Sequence, residues 1–161
     1  EIALKSKNTP SAIALSRQKL PYINPKFSEK NECKNGAYIV KMNSHDYKVT
    51  LVASGSEVEL ALNVHDALKT YNIESKVVSM PCQELFDKQS DDFKKDILDK
   101  ESLIVTIEAG NVSSWKKYSG GKGISLGIDR FGESAPYKKV YEHLNLSAEK
   151  IVNVIQEQLR K

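Results

Sequence analysis

The sequence predicts an α/β fold with three layers (α/β/α) around a mixed, mainly parallel five-stranded sheet. After Lys48, short apolar segments alternate with helical segments, a pattern typical of strands joined by crossover helices. Residues 103–108 form a near-continuous apolar run, as expected for a central parallel strand that is covered on both faces. One additional strand precedes this alternation, and we expect it to be the antiparallel member that makes the sheet mixed.

The first 35 residues differ from the rest of the chain. Residues 1–6 have the character of a helix end, which Pro10 prevents from continuing, and residues 11–16 (SAIALS) form a short apolar run that predicts a strand. A stretch rich in Pro and Asn without periodicity then follows. We therefore predict a remnant of a preceding domain over 1–22, a linker over 23–35 and the main domain over 36–161. Because the chain starts at Glu1, we expect that further sequence precedes it.

Two strands open the main domain, at 37–41 and 48–53. The connection between them is short and turn-like, which favours antiparallel pairing of these two strands. Ser54 and Glu57 fit the spacing of a capping box for the helix that follows, and Ser56 with Glu59 fits it equally well. This helix extends to about Tyr71, and Asn72 is expected to end it in the left-handed conformation.

Strands and helices alternate along the remaining residues. Pro81 ends the third strand, and Ser147 is placed to cap the last helix. The predicted elements are a strand at 76–80, helical pieces around 85–86 and 93–98, strands at 103–108 and 123–128, a short helix at 115–118, and an amphipathic helix at 147–159.

The composition excludes several classes of function. The formal net charge is only +3 and no nucleic-acid-binding motif accompanies it, so we expect no nucleic-acid partner. No apolar run is long enough to span a membrane, so no membrane partner is expected. The two cysteines and three histidines are scattered and do not have the spacing of a metal site or a redox pair.

Four segments contain residues that could act on a ligand. The turn Ser54–Glu57 lies between a strand and a helix, where anions can bind, but a helix cap is the favoured interpretation because Glu57 would repel phosphate. The glycine-rich loop 120–123 precedes a strand rather than a helix, which favours a simple loop over a phosphate site. For Glu108 we favour a structural role, such as capping the turn at 110–111, and for Asp129–Arg130 a loop-fixing role.

Arg17 follows the predicted strand 11–16. A guanidinium group can bind phosphate oxygens in a bidentate manner, although most arginines are solvated surface residues. The residues alone reveal no nucleophile with its base, no metal ligands and no nucleotide loop. We therefore predict no catalytic, cofactor-binding or metal-binding residue within this chain.

Several motifs, in this order and at this spacing, resemble the C-terminal third of transketolases. Any one of them is weak evidence, but together they are specific and cover essentially the whole chain. The segments are Thr9-Pro10-Ser11, Leu15-Ser16-Arg17-Gln18, Ala53-Ser54-Gly55-Ser56-Glu57-Val58, Val77-Val78-Ser79-Met80-Pro81 and Gly127-Ile128-Asp129-Arg130-Phe131-Gly132.

The resemblance implies a function for the whole enzyme. Transketolases transfer a two-carbon ketol unit from a ketose phosphate to an aldose phosphate in the pentose phosphate pathway. They use thiamine diphosphate with Mg²⁺ or Ca²⁺, which lie between two upstream domains of a homodimer. The implied fold is that of the transketolase C-terminal domain, which does not hold the cofactor, so this chain alone is expected to bind no cofactor and to be inactive.

The resemblance also assigns the first residues. Residues 1–22 resemble the end of the middle, pyrimidine-binding domain, so the strand 11–16 would lack its native sheet. Arg17 matches the arginine that contacts the substrate phosphate in that family, and it is the only site residue that the resemblance implies here. The implied compartment is the cytoplasm, with a plastid kept open.

Two other interpretations follow from the same residues. One is a stand-alone α/β module that binds an anion or nucleotide at the turn Ser54–Glu57. The other is the equivalent domain of a different thiamine diphosphate enzyme, such as a pyruvate dehydrogenase β subunit or deoxyxylulose-phosphate synthase. The Leu15-Ser16-Arg17-Gln18 segment argues against the latter.

Overall fold

The computed structural model describes residues 1–23 and 31–161. These residues form five strands, seven α-helices and one 3₁₀ turn at Glu32–Asn35. The strands are β1 Tyr38–Met42, β2 Val49–Ala53, β3 Ser75–Ser79, β4 Leu103–Ile107 and β5 Ile124–Leu126. The helices are α1 Ile2–Lys5, α2 Glu57–Thr70, α3 Gln83–Asp87, α4 Asp91–Ile97, α5 Lys116–Ser119, α6 Tyr137–His143 and α7 Ala148–Leu159.

The five strands form one mixed sheet in the order β1-β3-β2-β4-β5. Strands β3, β2, β4 and β5 are parallel, and β1 pairs with β3 in the antiparallel direction. Side chains alternate between the two faces of the sheet along each strand, so both faces can be covered by helices. The sheet and its two helical coverings form three layers. The predicted fold class is therefore confirmed.

Each face of the sheet has its own hydrophobic core. On one face, Leu51, Val77 and Val105 pack against α2 and α7. On the other face, Val52, Val78 and Ile104 pack against Phe86, Trp115 and other side chains of the α3–α5 region. All five residues of β2 and of β3 are buried, as parallel strands covered on both faces require.

The predicted pairing of the first two strands is wrong. β1 pairs with β3, whereas β2 has β3 on one side and β4 on the other. The fully buried β2 needs a neighbour on both sides to satisfy its backbone groups, and the partly exposed β1 suits the edge. The short connection 43–48 therefore does not form a hairpin.

The predicted strand at 11–16 is also wrong for this chain. The segment has no regular structure, and its apolar side chains are exposed, with Ile13 at 71% and Leu15 at 84%. A strand is stable only when another strand takes up its backbone hydrogen bonds, and the described residues provide none at this segment. Ile23 packs against the core, whereas the predicted linker 23–35 lies partly outside the described residues.

Several helix ends agree with their predicted chemistry. Asn72 has a φ of 57°, and the hydroxyl of Ser147 accepts a hydrogen bond from the backbone N–H of Lys150 at 3.5 Å. Helix α6 has no counterpart in the sequence-based prediction. Within the described part of the chain, every helix is too short or too polar to traverse a lipid bilayer.

Candidate functional site

The carboxyl edge of the sheet contains a topological switch point between β2 and β4. The chain leaves β2 through α2 to reach β3 on one side, and β4 lies on the other side of β2. The segments that follow β2 and β4 thus diverge, and such a divergence creates the crevice in which open α/β sheets usually bind ligands. By this topology, the expected crevice lies between the turn Ser54–Glu57 and the segment that begins at Glu108.

Glu57 is the first residue of α2, and it is 5% exposed. Its carboxylate accepts hydrogen bonds from the hydroxyl of Tyr141 and from Ser56 Oγ, the latter at 2.7 Å. Neither Ser54 nor Ser56 forms the capping box that their spacing predicts, because no side-chain cap bond closes the first turn of α2. The expectation of a capping box is therefore wrong, and Glu57 is held by α6 instead.

Glu108 follows β4 and faces the same crevice. Its Oε2 accepts a hydrogen bond from the indole Nε1–H of Trp115 at 3.1 Å. The partner is thus Trp115 rather than the predicted turn at 110–111. Burial raises the pKa of the Glu108 carboxyl, and the neighbouring carboxylate of Glu57 raises it further.

The electrostatics of this crevice oppose an anion site. Burial, its bond to Glu57 and the nearby Glu108 all raise the pKa of Tyr141, so its hydroxyl remains a proton donor. The side chains that shift the pKa of Glu108 or Tyr141 include carboxylates and hydroxyls but no Lys or Arg. A phosphate would therefore meet two carboxylates here, which argues against the anion-binding module.

Arg17 lies on the exposed N-terminal segment. The preceding residue, Ser16, places its Oγ 3.9 Å from the position that a β-carbon on Gly55 would occupy. The structure thus brings the segment of Arg17 to the turn after β2.

The loop after β5 is fixed by polar contacts, as its sequence predicts. Asn111 Nδ2 donates to Asp129 Oδ1 at 2.9 Å, and Arg130 forms an ion pair with Glu133 at 2.7 Å. Phe131 nevertheless points away from the domain and is 96% exposed.

The glycine-rich loop 120–123 has a packing role. A β-carbon on Gly123 would lie 2.1 Å from the carbonyl oxygen of Ser119 and 2.5 Å from that of Ile104. Glycine at this position thus permits a close backbone approach beside β5, in agreement with the loop interpretation rather than a phosphate site.

The comparison with protein families decides the assignment. Residues 36–147 match the model of the transketolase-like C-terminal domain. The chain belongs to the transketolase family.

Transketolases from distant organisms align with nearly the whole chain. The Aquifex aeolicus transketolase is 36% identical over 157 residues, covering 96% of this chain and 23% of the relative. The chloroplastic transketolase of Solanum tuberosum is 41% identical over 155 residues, covering 94% of this chain and 21% of the relative. The chain thus spans about a fifth of the length of these relatives.

Solved transketolase structures share the fold. The Leishmania mexicana transketolase superimposes with a TM-score of 0.71 at 37% identity, covering 79% of this chain and 18% of that one. The Pichia stipitis transketolase, in complex with sedoheptulose 7-phosphate, gives a TM-score of 0.87 at 29% identity, covering 99% of this chain and 23% of that one. The second superposition therefore includes the N-terminal segment that carries Arg17.

Two polar partners in this transketolase domain were not foreseen from sequence. Tyr141 and Trp115 hold the carboxylates of the switch point, but they lie 84 and 7 residues away from Glu57 and Glu108. Pro136 before Tyr137, with Tyr141 four residues further on, is a signal that could have indicated α6. Nothing in the local sequence indicates that this helix would meet α2.

Proposed function

We propose that this chain is the C-terminal part of a transketolase. The whole enzyme would transfer a two-carbon ketol unit from a ketose phosphate to an aldose phosphate. The observation that carries this proposal is the alignment with transketolases over 94–96% of the chain at 36–41% identity. The bacterial and chloroplastic origins of these relatives support a cytoplasmic or plastid location.

Arg17 is proposed to bind the phosphate group of the sugar substrate. Its guanidinium group is always charged and presents a planar set of donors that fits phosphate oxygens. The side chain is exposed in this chain, so it is available to a ligand held by the rest of the enzyme. The sugar phosphate therefore becomes the partner of this segment.

The residues that the structure describes do not fit thiamine diphosphate and its divalent metal. The described residues include no cluster of three or more His, Cys, Asp or Glu side chains that could hold a metal ion. The carboxylates at the switch point already accept hydrogen bonds from Tyr141 and Trp115, and they would repel a diphosphate. In our proposal the cofactor, which supplies the ketol-transfer chemistry, is bound by upstream domains, and this chain has no activity alone.

The same proposal gives the chain an architectural role. Ile13, Leu15 and Phe131 are exposed apolar side chains at 71%, 84% and 96%. We propose that residues 1–22 complete the preceding domain, that 23–35 form the linker, and that residues 36–161 support the homodimer of the full enzyme. Such contacts would remove these side chains from water.

The role of Arg17 is tested in the full-length enzyme. We expect Arg17→Ala to raise KM for phosphorylated sugars roughly ten- to a hundredfold, because a charge-assisted contact contributes about 1.5–3 kcal/mol. The matched control is Lys19→Ala, which removes one positive charge from an exposed position of the same segment. Equal kinetics for wild type and Arg17→Ala on phosphorylated sugars would refute the assignment.

A further inference from the structure

The turn Ser54–Glu57 is a rigid feature of the carboxyl edge. The N–H of Glu57 donates to the carbonyl of Ser54 at 3.1 Å, and the N–H of Val58 donates to the carbonyl of Gly55 at 3.4 Å. Behind the turn, Tyr141 and Ser56 both donate to the Glu57 carboxylate. The position of the Gly55 backbone is therefore fixed by β2, α2 and α6 together.

Gly55 itself has two properties that a larger residue would lack. Its φ of +54° lies in the left-handed region, which L-residues other than Asn and Asp rarely adopt. Within the described chain, the atom closest to its missing β-carbon is Ser16 Oγ, at 3.9 Å. A methyl group would just fit in this space, whereas a longer side chain would meet Ser16.

The segment that Gly55 faces is exposed in the described part of the structure. Residues 11–17 are all exposed and form no strand, and Ile23 is the next residue of the segment that packs against the core. Arg17 directly follows Ser16, so a displacement of Ser16 away from the turn also moves the backbone of Arg17.

We propose that Gly55 is a positioning residue for the substrate phosphate: because it has no side chain, it leaves the space beside the turn that Ser16 faces, and this sets the placement of Arg17. This inference rests on the proposed function, since it acts through the contact between Arg17 and phosphate. A misplacement of about 1 Å is enough to weaken a bidentate contact strongly. Position 55 thus influences affinity for phosphorylated sugars without touching them.

The test compares matched glycine variants in the full-length enzyme. Gly55→Leu and Gly55→Ala both put an L-residue at the same exposed position with positive φ, but only leucine extends beyond the β-carbon toward Ser16. We expect Gly55→Leu to raise KM for a phosphorylated aldose about tenfold, with kcat unchanged. With an unphosphorylated aldose as acceptor, kcat/KM should equal that of wild type. Gly55→Ala should resemble wild type with both acceptors.

Two further variants separate positioning from a general loss of structure. Ser16→Leu adds a larger side chain on the other side of the space between Ser16 and Gly55, at a position without positive φ. It must produce the same selective rise in KM for phosphorylated sugars. In an Arg17→Ala background, Gly55→Leu should add no further rise, because both changes act on one contact.

Three results would overturn the inference. They are equal effects of Gly55→Leu on both kinds of acceptor, equal effects of Gly55→Leu and Gly55→Ala, and an unchanged KM in Ser16→Leu. These outcomes differ from a failure of the proposed function, in which the wild-type enzyme lacks ketol transfer or Arg17→Ala leaves KM unchanged. If Gly55→Leu does not fold, as judged by thermal melting, Ser16→Leu decides alone.

Discussion

Glu57 and Glu108 show at the residue scale how a crevice can be filled by the protein's own side chains. The two carboxylates meet at the switch point, where ligands often bind, but each accepts a hydrogen bond from an aromatic side chain, Tyr141 or Trp115. This arrangement is electrostatically unfavourable, because two partly desolvated carboxylates repel each other. The two hydrogen bonds fix both α6 and the loop before α5 to the edge of the sheet.

The repulsion at Glu108 has a measurable pH dependence. The pKa of Glu108 is higher in the folded state than in the unfolded chain, so its protonated carboxyl contributes favourably to the free energy of unfolding. This contribution is complete below about pH 4.5 and is lost as the pH rises through the raised folded pKa. We expect Glu108→Gln to remove this loss and to increase the free energy of unfolding at pH 7. Urea titrations between pH 4 and 8 measure this free energy of unfolding, with the exposed Glu157→Gln variant as the control. A less stable Glu108→Gln protein at pH 7 would contradict this account.

His65 gives the opposite pH dependence. It is 1% exposed, and its ring lies between Asn43 Nδ2 at 3.2 Å and Ser75 Oγ at 2.7 Å. An amide N–H₂ only donates, so Nε2 accepts from Asn43 and the neutral ring is required. Burial and the nearby Lys41 lower the pKa of His65, although Asp66 and Glu74 raise it.

Stability should therefore fall on acidification. A depressed folded pKa contributes stability above the unfolded value of about 6.5, and this stability is lost as the pH falls toward the folded pKa. We expect the free energy of unfolding of wild type to decrease below about pH 6.5, and His65→Gln to lose this component. The exposed His45→Gln variant should keep it, and a pH profile unchanged by His65→Gln would rule out the explanation.

At the scale of elements, the parallel part of the sheet was predictable and the edge was not. Strands β2, β3 and β4 are covered on both faces, so the sequence is mostly apolar at 48–53, 76–80 and 103–108. This pattern depends only on neighbouring residues, and it can therefore be recognised from the sequence. The partner of β1 depends instead on which strand has a free edge. Loop length alone favoured β2, but both edges of β2 are taken by parallel neighbours.

The site could be predicted only where its chemistry is local. Arg17 stays a prediction that comes from the resemblance of the Leu15-Ser16-Arg17-Gln18 segment, whereas Asp129 and Arg130 contact Asn111 and Glu133 within or beside their own loop. The bond between Tyr141 and Glu57 joins residues 84 positions apart, so it exists only after α6 packs beside α2. The approach of Ser16 to the Gly55 turn has the same origin.

The close packing of α5, β4 and β5 depends on one glycine. We expect Gly123→Ala to lower the free energy of unfolding by about 1–3 kcal/mol, because its β-carbon would overlap the carbonyl oxygens of Ser119 and Ile104. Gly121→Ala is the matched control, since a β-carbon there meets no atom within 4 Å. Denaturant unfolding compares the two variants. Equal stabilities would mean that the loop shifts without cost.

At the scale of the whole molecule, the domain buries a core on both faces of its sheet but leaves several large apolar side chains exposed to water. The mixed sheet is covered by helices on both faces, whereas Ile13 and Leu15 of the N-terminal segment and Phe131 of the loop after β5 remain exposed. The segment that carries Arg17 passes near the turn after β2 without joining the sheet. We infer that this domain folds by itself and acquires its function only within a larger transketolase.

The most direct test of this account is an assay of ketol transfer with two proteins side by side. The full-length enzyme and the isolated chain 1–161 would each receive thiamine diphosphate, Mg²⁺, a ketose phosphate and an aldose phosphate. We predict turnover by the full-length enzyme and none by the isolated chain, which should nevertheless unfold cooperatively. Ketol transfer by the isolated chain, or its absence from the full-length enzyme, would contradict the central claim.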